Sequence, residues 1–128
     1  MTYEAIAAVT LLQEDLEAAR SFYAGVLGSA PVFQDAESVV FRLGAGTMIN
    51  LLIADAAPEL VDPAPVGDAA TGVRAVLTLQ VADVDAERGR LAELGVTLLN
   101  GPLDRPWGPR TASFRDPGGH VWELASSV

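Results

Sequence analysis

The chain has no cysteine, no lysine and a single histidine, His120. Without thiols there are no disulfides, no thiolate nucleophile and no cysteine-ligated zinc. The missing lysines exclude Schiff-base chemistry and a phosphate-gripping P-loop. One imidazole per chain cannot build a site of two or three histidines, so acid and base work falls mainly to carboxylates. No GxSxG elbow stands ready for a serine nucleophile. Positive charge is also scarce: eight arginines face seventeen acidic residues, a net charge of -9 that opposes nucleic acid and anionic membranes and favours neutral or cationic partners. No apolar run is long enough for a membrane helix, and the start MTYEAIAAV lacks the basic region of a secretion signal, so the cytoplasm is the expected compartment.

What is present is an internal repeat. An offset of 68 residues lays TLLQEDLEAARSFYA, from Thr10, over TLQVADVDAERGRLA, from Thr78; an offset of 73 lays FRLGAGTMINLL, from Phe41, over FRDPGGHVWELA, from Phe114. Each half opens with an apolar, strand-like run, at Ile6 to Leu12 and Val73 to Val81. Asp15 and Asp83 then stand as helix N-caps, and Gly28 and Gly95 as helix stops. Three further strands follow in each half: Val32 to Gln34, Val39 to Leu43 and Met48 to Ile53, then Val96 to Leu99, Thr111 to Arg115 and Val121 to Leu124. Between the halves, residues 55–72 hold three of the eight prolines and four acidic residues and read as a linker.

The expected fold is therefore α+β, one domain over 1–128 made of two tandem βαβββ modules (1–54 and 73–128). A lone module would leave a sheet face open, so the two should pair, with curved mixed sheets forming a cup around a cleft. Strand alternation puts Ala8, Thr10 and Leu12 on one face, with Met48, Asn50 and Leu52 beside them. In the second half it groups Val76, Thr78 and Gln80 with Val121 and Glu123. That set describes an apolar cavity with a few polar groups, the usual composition of a small-molecule pocket and equally of a filled core.

The segments DLEAARSFYAGVLG, VADVDAERGRLAELGV and PWGPRTASFRDPGGHVWEL resemble the vicinal oxygen chelate superfamily, which includes glyoxalase I, extradiol dioxygenases and bleomycin-binding resistance proteins. The resemblance covers nearly the whole chain and implies the glyoxalase-like fold. It leaves function open, because that scaffold carries isomerases, dioxygenases, transferases and binders without catalysis. In metal-using members the ligands come from four positions that here hold Ala8, Asn50, Val76 and Glu123, and the repeat agrees, pairing Ala8 with Val76 and Asn50 with Glu123. Two aliphatic side chains cannot donate a lone pair, and an open catalytic site normally takes three protein ligands, so neither a metal nor another cofactor is expected. Gln13, Glu14, Gln80 or a partner's histidine would have to move in to rescue the site.

Two readings follow. In the first, the chain is a metal-independent protein of the bleomycin-resistance type, homodimeric by resemblance. It would sequester a neutral or cationic planar ligand through Thr10, Met48, Asn50, Thr78, Gln80, Trp107, Val121 and Glu123, with Trp107 stacking. In the second, a glyoxalase-type lyase or isomerase uses Glu123 as acid or base, without a metal or with a degenerate site, and Asn50, Thr10, Thr78 or an arginine stabilises the enolate oxygen. Glu123 has a plainer alternative too, an ion pair with Arg42, Arg110 or Arg115, and Trp107 could simply pack at a sheet edge or subunit interface. His120 is expected on an exposed hairpin.

Overall fold

A computed structural model describes residues 2–127. The chain divides into two compact units, Met1–Thr71 and Gly72–Val128, each built on a four-stranded mixed sheet. In the first, β1 (Ala8–Gln13) leads into α1 (Leu16–Leu27), followed by β2 (Phe33–Gln34), β3 (Ser38–Leu43) and β4 (Thr47–Ile53). Strand order is β1-β4-β3-β2, with β1 parallel to β4 and the other pairs antiparallel. The parallel pair requires a crossover, and α1 with the β2–β3 hairpin supplies it.

Local chemistry sets the helix ends. Asp15 is extended, and its side chain accepts from the Ala18 N–H at 3.0 Å, satisfying one of the donors that a helix start leaves unpaired. Gly28 closes α1 at φ 66°, a left-handed conformation that costs glycine little. Ala19, Tyr23 and Val26 form the buried stripe of α1, which packs on β3 and β4. There the Tyr23 ring lies 6.3 Å from that of Phe41, with Ile49 and Leu51 beside it in the core.

The second unit repeats the plan: β5 (Val76–Gln80), α3 (Val84–Glu93), β6 (Leu98–Asp104), β7 (Arg110–Arg115) and β8 (Val121–Ser126), in the order β5-β8-β7-β6 with β5 parallel to β8. Asp83 caps α3 by accepting from the Ala86 N–H at 3.1 Å. Leu94 is the last half-helical residue, and Gly95 follows it at φ 80°. Val84 and Leu91 face the core with Ala112, Phe114, Trp122 and Leu124. The two sheets and their helices make up the expected α+β, glyoxalase-like arrangement.

Three details differ from the sequence reading. The stretch 55–72 is not featureless: a 3-10 turn at Ala54–Ala56 and a one-turn helix α2 (Pro58–Val61) occupy its start, with proline in the first helical turn, where a missing N–H costs nothing. Ala57 is fully buried, and the Ala69 N–H donates to Glu14 at 3.2 Å, so this segment folds back on its own unit. Strand β6 runs through Gly101 and Pro102 to Asp104, well beyond Leu99, with two register shifts against β7. As an edge strand it tolerates a proline that donates no hydrogen bond. His120 is half-buried, not exposed, because its N–H donates to the Asp116 carboxylate at 2.9 Å and holds the turn shut. No helix among the described residues is long and apolar enough to cross a membrane.

Candidate functional site

Each sheet has one face against its helix and one facing away. On β1, Val9, Leu11 and Gln13 take the helix side, leaving Ala8, Thr10 and Leu12 on the open face. Register then assembles rows across the first sheet: Ala8 beside Met48 and Arg42, and Thr10 beside Asn50 and Val40. The second sheet gives the same rows, Val76 beside Val121 and Arg115, and Thr78 beside Glu123 and Ser113. The two offsets found in the sequence thus fall on equivalent points of two equivalent registers.

The open faces carry matching polar pairs. In the first unit, Asn50 Nδ2 donates to Thr10 Oγ1 at 3.3 Å, and Asn50 Oδ1 is buried without a hydrogen-bond partner. In the second, Thr78 Oγ1 donates to Glu123 Oε1 at 2.9 Å. Among the described residues Glu123 joins none of the ion pairs, so the alternative in which it pairs with Arg42, Arg110 or Arg115 is not formed. Arg110 is committed elsewhere: its Nε and Nη2 grip the Asp85 carboxylate at 2.7 and 3.0 Å, and Nη1 reaches Asp104 at 3.1 Å. The hydrogen bonds from Arg110 hold the Asp85 carboxyl below the usual carboxylate range, and Arg110 is raised in turn.

Of the ligand residues expected from sequence, Thr10, Met48 and Asn50 come together on the first open face, and Thr78, Gln80, Val121 and Glu123 on the second. Val76 is 54% exposed there, an aliphatic side chain left uncovered, while Val121 is buried. Trp107 stands apart from these rows, in the turn between β6 and β7, and is 71% exposed. The turn is closed by the Arg105 N–H donating to the Pro109 carbonyl at 2.8 Å and the Gly108 N–H donating to the Arg105 carbonyl at 3.0 Å. The Arg105 guanidinium lies 5.8 Å from the Trp107 ring centroid. It donates from Nε to Thr111 Oγ1 and from Nη2 to Asn100 Oδ1, both at 2.8 Å.

Sequence reasoning missed this group of Arg105, Asn100 and Thr111, because the register shifts around Gly101 and Pro102 hide the alternation that would have aligned Asn100 with Ser113. A shallow cavity of about 100 Å³ lies at the ends of β1 and β4, lined by Glu14, Ile53, Ala54 and Asp55, and takes in none of the expected ligand residues.

The donor set does not fit a resident metal ion. Ala8 and Val76 have no donor atom, Asn50 offers one amide oxygen, and the one carboxylate, Glu123, already accepts from Thr78. Gln13 is fully buried on the helix side of β1, and Glu14 accepts from the Ala69 N–H, so neither stands ready to complete a set. No group of three or more His, Asp or Glu side chains among the described residues is placed to hold an ion.

Comparison with known proteins gives likenesses of two kinds. An uncharacterised protein of Mycobacterium bovis is 37% identical over 57 residues, a match spanning 44% of this chain and only 38% of that protein. Two crystal structures match over most of their length. A glyoxalase-related enzyme from Fulvimarina pelagi superposes with a TM-score of 0.83 at 28% identity, covering 98% of this chain and 89% of that one. TnmS3, an antibiotic-binding protein from Streptomyces sp. CB03234, does so with a TM-score of 0.72 at 28% identity, covering 100% and 99%. The profile that matches residues 5–124 spans both sheets and both repeats, and by it the chain belongs to the Glyoxalase/Bleomycin resistance protein/Dioxygenase superfamily.

Proposed function

We propose that this chain is a metal-independent small-molecule-binding protein that sequesters a neutral or cationic planar ligand. The observation that carries the reading is the state of the four family metal positions: Ala8 and Val76 without donors, Asn50 and Glu123 each hydrogen-bonded to a threonine of its own sheet. Polar groups engaged in this way anchor a ligand by hydrogen bonds, as in small-molecule sites where a few polar groups sit among apolar walls. The Asn50 amide, held to Thr10 only by a long bond, can exchange that bond for one to a ligand on the same sheet face. In the second unit Trp107 supplies an exposed aromatic platform, and Gln80 joins Glu123 on the open sheet face. The likeness to an antibiotic-binding protein supports binding as the activity. The surplus of acidic over basic residues supports a ligand that is not anionic.

Two measurements test it. Protein purified without chelators or a histidine tag, then offered nickel, zinc, manganese, iron(II) and magnesium in turn, should retain no ion by elemental analysis; one ion per chain refutes metal independence. Glu123→Gln keeps an acceptor for Thr78 and should leave affinity for a neutral ligand nearly unchanged. A large loss of a glyoxalase-type lyase or isomerase turnover in that variant would establish the enzyme reading instead.

A further inference from the structure

We infer that Arg105 sets the charge class of the ligand that stacks on Trp107: a neutral planar aromatic carrying a carbonyl or phenolic oxygen at its edge, and not a cationic ring. The inference rests on the binding reading above and narrows it.

Arg105 differs from the other anchored arginines of this chain. Arg20, Arg90 and Arg110 are each paired with a carboxylate, whereas Arg105 is held by two neutral acceptors, the Thr111 hydroxyl and the Asn100 amide oxygen. Its charge is therefore not cancelled by a contact. Those two bonds use the Nε–H and one N–H of Nη2, leaving three of the five guanidinium donors for another acceptor.

The same guanidinium lies over the Trp107 ring at 5.8 Å from its centroid, while the indole remains 71% exposed. One side of the ring's electron-rich π system is already engaged by a cation. A second cation stacked on the outer side would sit on the order of 9 Å from the first, where the repulsion left after screening by salt costs roughly 1.5-fold to threefold in affinity. A neutral ring pays no such penalty. If it bears an oxygen at the edge near Arg105, it also gains a charge-assisted hydrogen bond. The turn is pre-organised for this, since it is closed by two backbone bonds and flanked by the fork of Arg110 on Asp85 and Asp104.

Two probes with the same three-ring skeleton separate the classes: acridone, neutral with a ring carbonyl, and 9-aminoacridine, a cation at neutral pH. Calorimetric titration of the full chain at about 0.15 M salt, where long-range attraction to the acidic surface is largely screened, should find acridone the tighter ligand. Arg105→Gln should weaken acridone roughly tenfold and turn the preference toward the cation, the loss expected for one charge-assisted hydrogen bond on a half-exposed site. Arg105→Lys keeps the charge and lacks the planar fork, so it should still discriminate against the cation while binding acridone less tightly than the wild type. Trp107→Leu should weaken both probes. Equal or tighter binding of 9-aminoacridine to the wild type, or a ratio unchanged by Arg105→Gln, overturns the inference and leaves the binding reading standing. Failure of the wild type to bind either probe overturns both.

Discussion

The hydrogen bond between Thr78 and Glu123 and its counterpart between Thr10 and Asn50 occupy equivalent registers and should have unequal strengths. The first is 2.9 Å long and ends on a carboxylate; the second is 3.3 Å long and joins two neutral groups. Hydrogen bonds to charged groups contribute about 1.5–3 kcal/mol when shielded. Thr78 is exposed and Glu123 half-buried, so water competes and about 1 kcal/mol is expected. The long neutral pair should give about 0.3 kcal/mol. Double-mutant cycles in urea, Thr78→Val with Glu123→Ala and Thr10→Val with Asn50→Ala, isolate these couplings from other effects of each substitution. Asn50→Ala on its own should be nearly neutral, because it removes a buried oxygen that has no donor along with the weak bond. Glu123→Ala should lower Tm by about 3–5 °C. A coupling at Thr78 and Glu123 no larger than that at Thr10 and Asn50 would refute the view that Glu123 is held as a hydrogen-bonded acceptor.

Three further outcomes follow from local geometry. Asp15→Ala and Asp83→Ala each remove a helix cap and should cost about 1 kcal/mol by urea denaturation, with losses that add because the sites lie in separate units. Asp85 has a folded pKa below its unfolded one, so its stabilisation is complete above the ordinary carboxylate range and is lost as pH falls through the lowered value. Arg110→Met should therefore lower Tm at neutral pH and flatten this part of the acid limb below about pH 4, read from Tm against pH. Gly101→Ala should destabilise severely by the same assay, since at φ 83° its Cβ would meet the Thr111 carbonyl and stand 2.8 Å from the Ala112 Cα.

The parts of the fold legible in the sequence are those with short-range causes. Asp15 and Asp83 announce their helices because capping needs only a side chain and an N–H three residues on. Val39, Phe41, Ile49 and Leu51 announce their strands by alternation against one apolar face. Strand β6 defied the same reading: Gly101 and Pro102 break the period, and the pairing that extends the strand to Asp104 is made by Arg110 and Thr111 of β7. Likewise α2 has only four residues, and Ala57 beside it is buried by tertiary contacts that no local pattern encodes.

For the open sheet faces the decisive signal was duplication. Two offsets arose from unrelated stretches of sequence: 68 equates Thr10 with Thr78, 73 equates Asn50 with Glu123, and the strand registers set each threonine beside one of the latter pair. A repeat reports equivalence of position without any knowledge of three-dimensional structure, and so it identified Ala8 and Val76 as equivalents that both lack a donor. It could not report on Arg105, whose partner Asn100 lies on the irregular strand β6, where the register shifts break the repeat. What the two halves share is a scaffold with a polar pair at its centre. What distinguishes the second is a cation held by neutral groups beneath an exposed indole, where its charge stays available to a ligand.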